Sequence, residues 1–333
     1  MEELLITARS NALVDPSLHI WNWQVATYLF LGGLTAGIMI FAAVIALLKK
    51  DDDAPFAASK LAVLAPVVLS MGMAALFLDL EHKPFVFRFY TTFRPLSPMS
   101  WGAWILLLVY PVSILQILSS LRRGYPAVAA VVDRWAPGRA LIDWSEGHRR
   151  QISLLAVPLG VALAVYTAIL LSAFSARPFW NTGVLGPLFL ASGVSTAAAL
   201  AALLSSHGAE RKLFTQVDIG LIFAELALVA LLIINLATGS APQLEALHCC
   251  ITGGPYTMAF WVLFVGIGLL VPLVLELLET NGFGHSLAII AAVLVLFGGY
   301  MLRQVMLEIG QESTWTRYDT EYNAELLQRL EDR

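Results

Sequence analysis

Eight separate stretches of roughly 20 apolar residues run along this chain, each long enough to cross the hydrocarbon core of a bilayer as a helix. They lie near Trp23–Leu48, Leu61–Leu80, Trp101–Leu121, Ile152–Phe174, Val184–Ser205, Val217–Ala237, Thr257–Leu278 and Ser286–Met306. Most are apolar on every face, as a helix must be when it meets lipid on one side and other helices on the other. Small residues recur inside them, as at Gly32, Gly33 and Gly37, where helix backbones can approach closely. Charged residues make up 13% of the chain, about half the share of an ordinary soluble domain. That is too little to coat a soluble surface and excludes a soluble two-domain enzyme. A formal net charge of −4, with no basic block outside short loops, excludes a nucleic-acid binder. The pattern predicts an all-α integral membrane protein. Its eight-helix transmembrane bundle covers residues 1–306, and a polar C-terminal tail, helical near Tyr322–Leu330, covers residues 307–333.

Loop charge predicts the orientation. The loop after span one carries Lys49, Lys50 and Lys60. That after span three carries Arg122, Arg123, Arg134, Arg139, Arg149 and Arg150, and that after span five Arg211 and Lys212. The positive-inside rule makes this side cytoplasmic, so both termini fall on the outer, periplasmic side of a bacterial inner membrane. The first 19 residues have no basic region ahead of an apolar core, so a cleavable signal peptide is not expected there. Lys83, Arg88 and Arg94, after span two, run against the rule. They need a reason of their own, either docking to an acidic partner or holding lipid headgroups. No internal repeat stands out.

Polar residues gather at the span ends on the outer side. Span one opens with Trp21, Asn22, Trp23, Gln24 and Tyr28; Gln24 and Tyr28 are four apart and share a helix face. Span two ends with Asp79, Glu81 and His82, and span four carries Tyr166 with Arg177 just beyond it. Taken singly, each has an ordinary reading: Trp and Tyr form interfacial belts, and Asp79 needs a partner such as Arg177 or His82. Taken together, they are hydrogen-bonding and proton-exchanging groups at one level, between aromatic and aliphatic walls. Such a site suits a flat ring with two carbonyl oxygens and an isoprenoid tail, or another amphipathic ligand. Metal cofactors are not expected. The six histidines lie near span ends or in loops, unlike the facing pair that ligates a membrane haem. Cys249 and Cys250 alone fall short of the roughly four ligands of a cluster or zinc site.

At these residues the chain resembles the NrfD/polysulfide reductase membrane-subunit family. The resemblance rests on WNWQVATYLFLGGLTAG (Trp21–Gly37), FLDLEHKPFVFRFYTTFRPLSPMSWGAWIL (Phe77–Leu106), the segment Tyr166–Leu200 and GYMLRQVMLEIGQ (Gly299–Gln311), in that order. It implies a haem-free subunit that binds menaquinone or ubiquinone near its outer face. It also implies a docked ferredoxin-like subunit with four iron–sulfur clusters, serving a catalytic subunit that is often a molybdopterin enzyme. In the polysulfide reductase member a first-span histidine and asparagine and a later tyrosine hold the quinone. Aligned on the Trp-x-Trp start, that histidine falls on Tyr28 and the asparagine near Gln24 or Val25, with Tyr166 as the later tyrosine. Tyrosine does not titrate near neutrality as histidine does, so Asp79 or His82 inherits the proton role. Trp21, Gln24, Tyr28, Tyr166 and Arg177 become the expected quinone ligands.

Deeper charges remain. Asp218 and Glu225 are seven apart and share a face of span six, Glu276 and Glu279 end span seven, and Arg303 sits in span eight. One reading is structural, with Glu225 paired to Arg303. The other is a proton path with Glu225 as relay and Asp218 near its cytoplasmic mouth. A rival class is a secondary transporter or proton-conducting protein, which calls for midplane polar sites and repeated halves.

Overall fold

A computed structural model describes residues 5–7, 20–280, 285–314, 320–322 and 324–332; His19, one of the six histidines and the one just ahead of span one, lies outside them. Among the described residues, eight helices are long and apolar enough to span a membrane. They are α1 (Trp23–Leu48), α2 (Leu61–Asp79), α3 (Pro98–Leu118), α4 (Arg149–Ser172), α5 (Leu185–Leu204), α6 (Gly208–Ala237), α7 (Ala259–Thr280) and α8 (Leu287–Glu312). The all-helical bundle is as expected, apart from three-residue strands, Leu5–Thr7 and Thr320–Tyr322, that pair antiparallel. A short helix follows at Ala324–Glu331, within the predicted tail. With an even number of spans, the start of α1 and the end of α8 share one end of the bundle, here called the near end.

Two helices outrun their apolar stretches. α6 begins at Gly208, because Glu210 in the charged turn before Val217 is buried rather than solvated. The fully buried Glu210 accepts the backbone N–H groups of Phe56 (3.1 Å) and Ala57 (2.8 Å) and the Ser205 hydroxyl (2.8 Å). It thereby caps the short helix Pro55–Ser59, whose first N–H groups have no partner of their own. α8 continues past Met306 to Glu312, because Gln311 and Ser313 are buried against the start of α1 and the α4–α5 connection.

The spans form two four-helix halves with one neighbour pattern. α1 packs on α2 and α4, and α3 on α4; α5 packs on α6 and α8, and α7 on α8. In each half the second and third helices pack less closely than these pairs do. α1 and α5 cross at the centre, where a methyl group on Gly193 would stand 2.7 Å from the Gly33 carbonyl oxygen. Trp21 and Trp180, just ahead of the two helices, stack at 5.6 Å. They open the same phrase, Trp-Asn-x2-Val-x3-Leu-Phe-Leu, at Trp21–Leu31 and Trp180–Leu190. The halves are therefore an internal repeat about an axis between α1 and α5, contrary to the sequence expectation. The identical residues are confined to this one segment; elsewhere only the packing is shared.

A cavity between the first four helices

The first half encloses a cavity of about 560 Å³ opening toward the near end. Its walls are apolar, from Leu29, Met73, Phe77, Phe89, Leu106 and Leu171. Four tyrosines face it: Tyr28 from α1, Tyr90 from the α2–α3 connection, Tyr110 from α3 and Tyr166 from α4. The hydroxyls of Tyr28 and Tyr166, both buried, share a short hydrogen bond. Gly102 of α3 makes room for the Tyr166 ring, since a methyl group there would overlap it. Tyr90 is half-buried, and desolvation pushes its hydroxyl above the usual tyrosine range, so it stays a neutral donor. Asp79 stands at the rim. It lines both the cavity and a second, open pocket that also holds Glu81, His82, Arg88 and Arg94.

The expected ligands are not all brought together. Trp21, Tyr28, Tyr166 and Asp79 line the cavity, while His82 lies in the outer pocket beyond Asp79. Arg177 does not line the cavity or serve Asp79. Its guanidinium donates to the carbonyls of Gln311 (3.1 Å) and Ser313 (2.9 Å), satisfying the C-terminal end of α8. Gln24 does not join Tyr28. It faces a separate polar crevice of about 520 Å³ with Tyr256, Gln304 and Glu308. Positions four apart differ by about 40° around a helix. At the edge between two clefts, that angle sends the two side chains apart. Trp21 lines both clefts, and the Gln311 side chain fixes its backbone by accepting its N–H (2.9 Å) and donating to its carbonyl (2.8 Å).

Comparison with known proteins agrees with this architecture. The sequence model of the family described as "Polysulphide reductase, NrfD" matches residues 12–313. The chain belongs to the NrfD family. It is 30% identical over 311 residues to Protein NrfD of Escherichia coli (strain K12), covering 88% of this chain and 95% of that protein. It is 28% identical over 305 residues to the polysulfide reductase C subunit of Wolinella succinogenes, covering 88% and 94%. A Protein NrfD homolog of Haemophilus influenzae is 24% identical over 310 residues. Membership makes the chain a multi-pass membrane subunit of the kind found in redox complexes.

In this NrfD-family protein the interior of the second half carries, among the described residues, a line of buried polar side chains. The Ser195 hydroxyl donates to Asp218 (2.6 Å), and Asp218 faces Glu276 of α7. Ser192 and Ser195 both face Glu225. Arg303 donates to Ser192 (2.5 Å) and to the carbonyls of Gly299 (3.0 Å) and Phe189 (2.9 Å). Arg303 thus reaches Glu225 through Ser192 rather than in a direct ion pair. Asp218, Glu225, Glu276 and Arg303 are all 3% exposed or less, so each depends on these partners. Sequence reasoning missed Ser70, Tyr90, Tyr110 and Gln311 in the first half and the two serines in the second. Small hydroxyls in an apolar run carry no signal until the facing helix is known.

Proposed function

We propose that this chain is the quinone-reactive membrane subunit of a respiratory iron–sulfur oxidoreductase. In this reading it exchanges electrons between the membrane quinone pool and a docked ferredoxin-like subunit with four iron–sulfur clusters. That subunit serves a catalytic subunit, of the molybdopterin type in the reading we favour. The protein sits in a bacterial inner membrane with both termini periplasmic. The observation that carries the reading is the apolar cavity with the Tyr28–Tyr166 hydroxyl pair at its wall and Asp79 at its rim. Menaquinone or ubiquinone, when bound, supplies two-electron chemistry linked to two protons. Tyr28 and Tyr166 share two hydroxyl protons across one hydrogen bond, which leaves a second proton to hold a ring carbonyl. Asp79 faces cavity and outer pocket alike and carries protons between them, with His82 as the next group outward. Trp21 walls the ring, and Gln24 and Arg177 act from behind that wall by bordering the crevice and fixing the end of α8. Lys83, Arg88 and Arg94 lie beside the mouth, where an acidic partner surface would bring its cluster close enough for electrons to tunnel.

A second reading, proton conduction or secondary transport, is favoured by the repeated halves and by the buried line in the second half. We assign that line to a proton path, with Glu225 as relay, Asp218 toward the cytoplasmic mouth and Arg303 as its charged stop. It accompanies the quinone reading rather than replacing it. Titration of the purified protein with a fluorescent quinol-site inhibitor tests the quinone reading. Saturable binding is expected in the wild type, with at least a tenfold loss in Tyr28→Ala and in Asp79→Asn. Wild-type binding that both variants retain would move the ligand out of this cavity.

A further inference from the structure

The cavity has a second polar pole that the quinone reading does not use. Ser70 of α2 and Tyr110 of α3 are hydrogen-bonded at 3.1 Å and line the same cavity as Tyr28 and Tyr166. They are deep. Ser70 lies nine residues before the near end of α2, about 14 Å along its axis, and Tyr110 twelve residues into α3, about 18 Å. Beyond the far-end turn Leu61–Val63, α2 and α3 touch little, and Val67 and Met71, three residues before Ser70 and one after it, are 52% and 59% exposed. This wall is therefore a gap facing lipid, bridged by one hydrogen bond.

The protons of that bond can be assigned. The Ser70 hydroxyl also contacts the Pro66 carbonyl, at 2.7 Å, and has only one proton to give. With that proton on Pro66, Tyr110 donates to Ser70, and the Tyr110 oxygen keeps its lone pairs for the cavity. Rotation about a phenolic C–O bond is cheap, so Tyr110 can turn its proton from Ser70 into the cavity. A hydroxyl of this kind accepts from a ring O–H and, once turned, donates to a ring carbonyl.

We propose that Tyr110, oriented by Ser70, is the second oxygen anchor of the site. Tyr28 and Tyr166 hold one oxygen of a two-oxygen ring and Tyr110 the other, and the ligand's apolar tail leaves through the α2–α3 gap. The proposal rests on the quinone reading and adds to it the means of holding both redox forms. The oxidised ring needs two donors and the reduced ring two acceptors, and hydroxyl poles at two depths of one cavity supply either pair.

The test uses the full-length protein in nanodiscs. Intrinsic tryptophan fluorescence is titrated with 2-methyl-1,4-naphthoquinone, which has two ring carbonyls, and with 1-tetralone, which has one. Tyr110→Phe is expected to weaken the dione by about tenfold, the worth of one hydrogen bond, and to leave the monoketone within about twofold. Tyr28→Phe is expected to weaken both. Ser70→Ala frees the Tyr110 proton and is expected to leave the dione bound as tightly or more so, which a merely structural Ser70–Tyr110 bond would not do. Equal loss of both ligands in Tyr110→Phe, or no loss of either, overturns the second anchor while leaving the quinone reading in place. A wild type that binds neither ring overturns both.

Discussion

Single side chains here take their meaning from what sits opposite them. Tyr28 and Tyr166 were legible as two ligands at one end of the bundle, Tyr166 also through the family resemblance, but not as a hydrogen-bonded pair. Gln24 and Arg177 were legible as polar residues at the right level but not as to direction. Arg177 is claimed by carbonyls at the end of α8, more than 130 residues away, and nothing local in the sequence announces that demand. Glu210 shows the same limit from the other side. It reads as one charge in an exposed turn, yet it is fully buried and accepts two backbone N–H groups and a serine hydroxyl. Glu210→Ala would strand two buried donors and is expected to cost about 2–4 kcal/mol of stability. Denaturant unfolding in detergent measures it, and a loss below about 0.5 kcal/mol would mean that the donors find other partners.

Whole elements were more legible than their ends. An apolar run of about 20 residues has one stable use, and all eight runs became spans. The ends of α6 and α8 were not legible, because Glu210 at one and Gln311 at the other are buried by other segments. The repeat was hard to read because its sequence trace is one short phrase, at Trp21 and Trp180, while the rest of the likeness lies in the packing. At the far end, charge ties the connections together. The Arg149 guanidinium grips both oxygens of Asp51 (2.9 and 2.6 Å), and Arg123 adds a contact at 3.0 Å. The hydrogen bonds from Arg149, more than those from Arg123, hold Asp51 below the ordinary carboxylate value of 3.8. A carboxylate with a lowered folded pKa stabilises fully above its unfolded value and loses that contribution as pH falls through the folded one. Asp51→Asn is therefore expected to cost about 1 kcal/mol at neutral pH. The difference from wild type should close as pH drops from about 5 toward about 2. A difference that stays constant with pH would assign the loss to packing instead.

At the scale of the molecule, the two four-helix halves share a packing pattern but differ inside. The first keeps an open interior lined by hydroxyls and one rim carboxylate, and the second fills its interior with buried acids, serines and an arginine. The membrane class, the number of spans and the near-end position of the polar groups followed from hydropathy and span alternation. The division of labour between halves did not, because it depends on which helices face each other. The central claim is that the first-half cavity is the quinone site. An azido-quinone photolabel on the purified protein, followed by peptide mapping, tests it most directly. The account predicts labelling on the α1 segment around Tyr28 and the α4 segment around Tyr166, suppressed by excess naphthoquinone. Labelling confined to α5–α8, or labelling that excess naphthoquinone does not suppress, would contradict it.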